Sequence, residues 1–166
     1  APIRARVSKQ SGNAPDYDVQ SYLKEITNVD LFAIPGIKDS ALAIIAEVGL
    51  DMNKFPTAKN FTSWLGLAPN RQVSGGKVIA QRTRKVNSPA KKLLRNAACS
   101  LRSSKTYLGS FFSKIKARSG ASCAITAVAC KLAIIIYYML KRQTSFNELG
   151  ASYLPQLYEQ KIIKNI

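Results

Sequence analysis

Apolar residues recur at helical spacing over most of the chain, and the breaks between periodic stretches fall at glycine and proline. Val19 to Thr27 reads as a short helix. Leu31-Phe32-Ala33-Ile34-Pro35-Gly36-Ile37 interrupts it with a Pro-Gly turn, and Ala41 to Val48 (ALAIIAEV) resumes as a strongly apolar helix that Gly49 is placed to cap. Thr57 to Leu65 forms the next helix, with Phe61, Trp64 and Leu65 at core spacing. From Gly66 to Asn87 the helical period fails. Pro69, Ser74-Gly75-Gly76-Lys77 and the run Arg82-Thr83-Arg84-Lys85 mark a long loop or a small hairpin there, and loops of that length inside compact domains are usually functional.

Ser88-Pro89 then supplies an N-cap followed by proline at the first helical position. The helix it opens runs to about Ser104, with Leu93, Leu94, Ala97, Ala98 and Leu101 turned inward. Lys91, Arg95 and Arg102 form an outer stripe, flanked by Lys92. Tyr107 to Arg118 and Ala121 to Arg142 read as two further helices joined at Gly120. Phe146 to Leu154 is irregular, and Gln156 to Ile163 forms a short terminal helix. Ala1 to Pro15 is small and polar, a lead with no apolar period. The expected fold class is mainly α, a compact helical domain carrying a helix-hairpin-helix-like element and a long glycine-containing loop. Its expected organisation is a lead and linker helix over residues 1–30, the main domain over 31–157 and a tail over 158–166.

The chain of 166 residues is 46% hydrophobic, which suits one folded domain and excludes a disordered basic tail. Lysine and arginine number 25 against 9 acids, a formal net charge of +16. No acid lies between Asp51 and Glu148, whereas 18 lysines and arginines do. A solvated surface ordinarily mixes signs, so an acid-free basic stretch of this length points to nucleic-acid phosphates. The competing reading is a plain basic surface, or one that meets anionic lipid. Cys123 to Leu140 approaches membrane-spanning length, but Lys131 near its centre costs about 2.5–3.5 kcal/mol on insertion scales. It reads as a helix buried on most sides, and no membrane partner is expected.

The chain has no histidine, which removes serine–histidine and cysteine–histidine dyads, two-histidine zinc sites and imidazole general bases. The three cysteines, Cys99, Cys123 and Cys130, form no CxxC pair and leave an odd thiol, consistent with a reducing, cytoplasmic setting. Chemistry must then run on hydroxyls, carboxylates, lysines or arginines.

Three constellations are candidates. In Leu31 to Glu47, backbone N–H groups around Gly36, Ile37 and Lys38 are placed to grip a phosphate without reading bases; the competing reading is an ordinary helical corner. In Ser74-Gly75-Gly76-Lys77, two glycines leave the serine hydroxyl unhindered, while Lys77, Arg71, Arg82 and Arg84, with Lys85 beside them, can neutralise a phosphodiester. Taken alone, this segment equally describes a flexible turn. The basic helix with Lys91, Lys92, Arg95 and Arg102 suits backbone binding more than sequence readout. Trp64, Phe111, Phe112, Tyr137 and Tyr138 are expected in the core rather than as stacking platforms, and Tyr107 and Tyr153 are weaker nucleophile candidates. The acids are scattered and read as surface or capping residues, so no metal site is expected on this chain.

The order of these elements resembles one family. Ile34-Pro35-Gly36-Ile37, Ala46-Glu47-Val48-Gly49 with Asp51-Met52, Phe55-Pro56-Thr57-Ala58 and Ser63-Trp64-Leu65-Gly66-Leu67-Ala68-Pro69 are followed by Ser74-Gly75-Gly76-Lys77 and Arg82-Thr83-Arg84-Lys85. Leu93-Leu94-Arg95-Asn96-Ala97-Ala98, Lys105-Thr106-Tyr107-Leu108, Ala127-Val128-Ala129, Tyr138-Met139-Leu140 and Glu148-Leu149-Gly150-Ala151-Ser152-Tyr153 complete the set. Together they resemble the C-terminal transposase domain of the IS110 insertion-sequence family, relatives of the pilin-gene invertases, over about Leu31 to Leu157. The resemblance implies DNA transposition with Ser74 as the attacking hydroxyl and DNA as partner. It also implies a guide (bridge) RNA, assembly as a homo-oligomer, and a nucleoid-associated place in a prokaryotic cytoplasm. Divalent metal, Mg, is implied on a RuvC-like acidic half rather than on this chain. Ala1 to Pro15 does not look like a remnant of that half, so a fragment of a longer enzyme or a truncated copy is expected, able to bind nucleic acid but inactive alone. The alternative is a non-catalytic basic helical module that binds DNA or structured RNA.

Overall fold

The computed structural model describes residues 18–147; the lead Ala1 to Pro15, the terminal helix expected over Gln156 to Ile163 and Tyr153 lie outside them. Among the described residues there are six α-helices and one two-stranded antiparallel sheet, so the fold is mainly α as the periodicity predicts. The helices are α1 (Val19–Thr27), α2 (Ala41–Val48), α3 (Ala58–Trp64), α4 (Pro89–Ser100), α5 (Tyr107–Ser119) and α6 (Ala121–Arg142). Strands β1 (Pro69–Ser74) and β2 (Lys77–Thr83) lie between α3 and α4.

Local chemistry accounts for most helix ends. Asp18, Thr57, Ser88 and Thr106 each accept a backbone N–H of the first turn through the side chain, at the starts of α1, α3, α4 and α5. Gly49 closes α2 at φ +82°, and Gly120 turns α5 into α6 at φ +88°, backbone conformations that favour glycine.

Helix α6 is the centre of the core. It packs against α3, α4 and α5, and α4 packs in turn on α2. Its inward residues include Ala124, Val128, Ala129, Leu132, Ala133 and Ile136, and the alanines let neighbouring backbones approach. The helix is long and apolar enough to cross a membrane by composition. Its apolar side nevertheless fits into protein, and Lys131 lies with Nζ 5.4 Å from the centre of the Phe111 ring. Leu23 of α1 is also buried, which joins the first helix to the same core.

Two aromatic expectations need correction. Tyr137 and Phe112 are fully buried, but Trp64 is 43% and Tyr138 37% exposed. Trp64 lies in the last turn of a two-turn helix whose inner positions are taken by Phe61 and, just beyond it, Leu65; Lys54 Nζ sits 5.9 Å from its ring. Tyr138 follows the buried Tyr137 by one position, a rotation of about 100° around the helix. It points outward, under the Arg142 guanidinium at 4.3 Å.

Candidate nucleic-acid interface

The segment with no helical period, Gly66 to Asn87, contains a β-hairpin. Ser74 pairs with Lys77 across a two-residue turn whose glycines, Gly75 and Gly76, have φ of +57° and +74°. Positive φ at both central residues is the type I′ pattern, whose twist matches that of the flanking strands. Nothing lies within 4 Å of a Cβ built on either glycine, so backbone conformation rather than crowding selects them. Residues 72–79 are all exposed, and the tip carries Ser74 into solvent. Among the described residues no hydrogen bond reaches the Ser74 hydroxyl.

The root of the hairpin is fixed. Gly66, at φ +71°, lies so close to the returning strand that a Cβ there would come 3.0 Å from the Arg84 carbonyl oxygen and 2.9 Å from Val86 Cγ2. Lys91 Nζ donates to the same Arg84 carbonyl at 3.3 Å, tying the hairpin to the start of α4. Arg84 and Lys85 are exposed just beyond β2. Arg82 is exposed on β2 opposite Asn70, and Arg71 stands on β1 opposite Gln81.

Helix α4 continues the basic surface. Burial first, and the neighbouring Arg95 charge second, hold the Lys91 ammonium pKa below the usual lysine value. A phosphate beside this pair would relieve that repulsion. Arg95 is oriented by a 2.8 Å hydrogen bond from Nη1 to Thr126 Oγ1 of α6. Lys92 and Arg102 are exposed.

The N-terminus of α4 is held by a residue of another helix. Glu47, near the end of α2, accepts the Ser88 hydroxyl at 2.6 Å on one carboxylate oxygen and the Ala90 backbone N–H on the other. Ser88 Oγ in turn accepts the Lys91 N–H. The carboxylate thus sits where the helix dipole favours negative charge. Its only local signal is that Glu47 is the single charged residue in the otherwise apolar ALAIIAEV stretch.

The corner at Gly36, Ile37 and Lys38 lies elsewhere. Gly36, at φ +81°, packs on the C-terminal end of α4, where an added Cβ would come 2.9 Å from Ser100 Oγ and 3.0 Å from the Ala97 carbonyl oxygen. Ile37 is buried and its N–H donates to the Ile34 carbonyl, whereas Lys38 is exposed. From Lys91 to Ser100 is about 14 Å along the helix axis. The expected phosphate contacts therefore form two groups at opposite ends of α4.

Carboxylates are absent from the hairpin. Asp18, Asp30 and Asp51 cap helical turns, and hydrogen bonds from Ser21, its side chain foremost, hold the Asp18 carboxyl below the usual range. Among the described residues no three of Asp, Glu, Cys or His gather in a group that could hold a metal ion. Tyr107 is half-buried in the first turn of α5, with its ring stacked on Phe111 at 6.5 Å.

The corner, the hairpin, α4 and the first half of α5 fall within one family match, described as Transposase IS116/IS110/IS902 family, over residues 30–112. No curated protein matches the chain. With half of its length matched, and with the corner, hairpin and basic helix all inside that span, the chain belongs to the IS116/IS110/IS902 family of transposases.

Proposed function

We propose that this domain supplies the attacking serine and much of the DNA-backbone contact of a transposase. One observation carries the reading: the hairpin rooted on the basic helix projects Ser74 into solvent, directly opposite Lys77. In the proposed reaction Ser74 Oγ forms a bond to a DNA phosphorus, and the bond from phosphorus to one sugar oxygen breaks. The proton lost from the serine hydroxyl is balanced by the proton gained by the released sugar hydroxyl. Lys77, directly opposite Ser74, stabilises the charge that builds on the phosphoryl oxygens, and Arg82, on the same face farther down the ladder, holds a neighbouring phosphate. Arg71, Arg84, Lys85, Lys91, Lys92, Arg95 and Arg102 hold flanking backbone.

The Gly36, Ile37 and Lys38 corner contributes less in this reading, because it lies at the end of α4 away from the hairpin and Ile37 is buried. Carboxylates for Mg come from a RuvC-like half, a bridge RNA selects the DNA, and subunits assemble so that the serine of one completes a site begun by another. The working place is the nucleoid-associated cytoplasm.

A second reading, a non-catalytic DNA- or RNA-binding module, draws on the lack of any hydrogen bond to Ser74 Oγ among the described residues. The two separate in one experiment. With the acidic half and guide RNA supplied, Ser74→Ala abolishes the covalent protein–DNA adduct under the first reading; an undiminished adduct contradicts it.

A further inference from the structure

The hairpin ladder contains an irregularity that sets which way its cations face. Val73 pairs with Val78, but the next residue of β1, Gln72, pairs with Ala80, so Ile79 has no partner and β2 bulges there. Side chains alternate along a strand with period two, and a bulged residue shifts that alternation by one. On β1, positions 70 and 74 share a face; their partners across the ladder are Arg82 and Lys77. Lys77 and Arg82 are five positions apart, and in an uninterrupted strand they would face opposite ways. The bulge brings them to the same face.

We propose that the bulge at Ile79 is a positioning device that places Lys77 and Arg82 on the face carrying Ser74, so that the hairpin offers one DNA strand a hydroxyl beside one cation and a second cation farther along the same face. The opposite face at the tip holds the Val73–Val78 pair, 55% and 41% exposed, which cannot neutralise phosphate. With Ile79 paired in a regular ladder, Arg82 would turn to the face of Val73 and position 71, away from Ser74 and Lys77. Ile79 itself is 68% exposed and packs into no core, so burial does not explain its insertion. The inference rests on the hairpin being a DNA-contacting element, as proposed above.

The test changes phase without changing charge. Inserting one alanine between Gln72 and Val73 gives Ile79 a partner and turns Arg82 to the Val73 face, but it also moves position 71 to the Ser74 face, so every variant is compared on an Arg71→Gln background. Deleting Ile79 instead leaves every other pairing as it is. Affinity of the full chain for a short mixed-sequence duplex is measured against salt, where each phosphate contact contributes about 0.9 to the log–log slope. The expected result is that the insertion and Arg82→Ala each lower the slope by about one contact, that combining them lowers it no further, and that the Ile79 deletion keeps the original slope. Adding Gln81→Arg and Arg82→Gln to the insertion returns an arginine to the Ser74 face and restores the slope, which also shows that the altered hairpin folds. An unchanged slope on insertion, an unchanged slope for Arg82→Ala, a deletion that behaves like the insertion, or a failed restoration overturns the proposal. None of these readouts uses the Ser74 hydroxyl, so an adduct that survives Ser74→Ala overturns the serine assignment alone.

Discussion

Replacing Glu47 by alanine tests whether α2 holds the basic helix in place. The carboxylate accepts the Ser88 hydroxyl and the Ala90 N–H, two hydrogen bonds with a charged acceptor. Such bonds contribute about 1.5–3 kcal/mol each, and water entering the half-buried site recovers part of the loss. The negative charge at a helix N-terminus adds about 0.3–1 kcal/mol. Ser88 keeps its own cap to Lys91, so the helix start is weakened rather than removed. Glu47→Ala is therefore expected to cost about 2–4 kcal/mol, and Glu47→Gln, which keeps one acceptor oxygen, about half of that. Urea unfolding followed by circular dichroism reads this directly. With a slope of about 1–3 kcal/mol per molar urea, the alanine variant should unfold at a midpoint about 1–2 M lower with its slope unchanged. Glu25→Ala, at an exposed helical carboxylate, is the control and should stay within about 0.5 kcal/mol. A loss for Glu47→Ala no larger than for Glu25→Ala would refute the bridging role.

Three further outcomes follow from packing and burial. A Cβ on Gly109 would lie 2.0 Å from the Ser104 carbonyl oxygen, so Gly109→Ala must displace backbone at the start of α5; a cost of about 3 kcal/mol or more is expected in thermal unfolding, and an unchanged midpoint would contradict that close approach. Tyr137 donates to the Phe55 carbonyl at 2.9 Å and accepts Lys141 Nζ at 2.7 Å, so Tyr137→Phe should lose about 1–2 kcal/mol by urea unfolding without loss of helical signal, and no loss would mean that the buried hydroxyl is dispensable. Burial pushes the Cys130 thiol pKa up, partly offset by its Thr62 hydrogen bond and Lys131, whereas Cys123 is exposed. Iodoacetamide should alkylate Cys123 first, with the gap to Cys130 narrowing as pH rises and its thiolate fraction grows; equal rates at neutral pH would contradict this.

Helices were legible wherever a local signal marked their ends. Ser88-Pro89, Gly49 and Gly120 each specify a terminus through a cap or a positive φ, and the structure has helix ends at all three. The hairpin was legible only as one of two possibilities. Ser74-Gly75-Gly76-Lys77 is a good two-residue turn, but Val78 and Ile79 stand side by side where a regular strand alternates, and the bulge that absorbs the extra residue appears only in the cross-strand register. In the sequence Glu47 looks like one of several scattered surface or capping acids, because its partners Ser88 and Ala90 lie more than forty positions away. Trp64 has the spacing of a core residue, and only the end of α3 against solvent turns its ring outward. Gly36 shows the same limit: its turn can be read from Pro35-Gly36, but its packing on Ala97 and Ser100 cannot.

The central claim is that Ser74 is the residue joined to DNA. It is tested most directly by trapping the adduct from the complete reaction, digesting it with trypsin and nuclease, and locating the nucleotide by mass spectrometry. Cleavage after Arg71 and Lys77 releases the peptide Gln72 to Lys77, and the nucleotide is predicted on its single hydroxyl residue, Ser74. A nucleotide on the peptide carrying Tyr107 or Tyr153, with Gln72 to Lys77 unmodified, would contradict it.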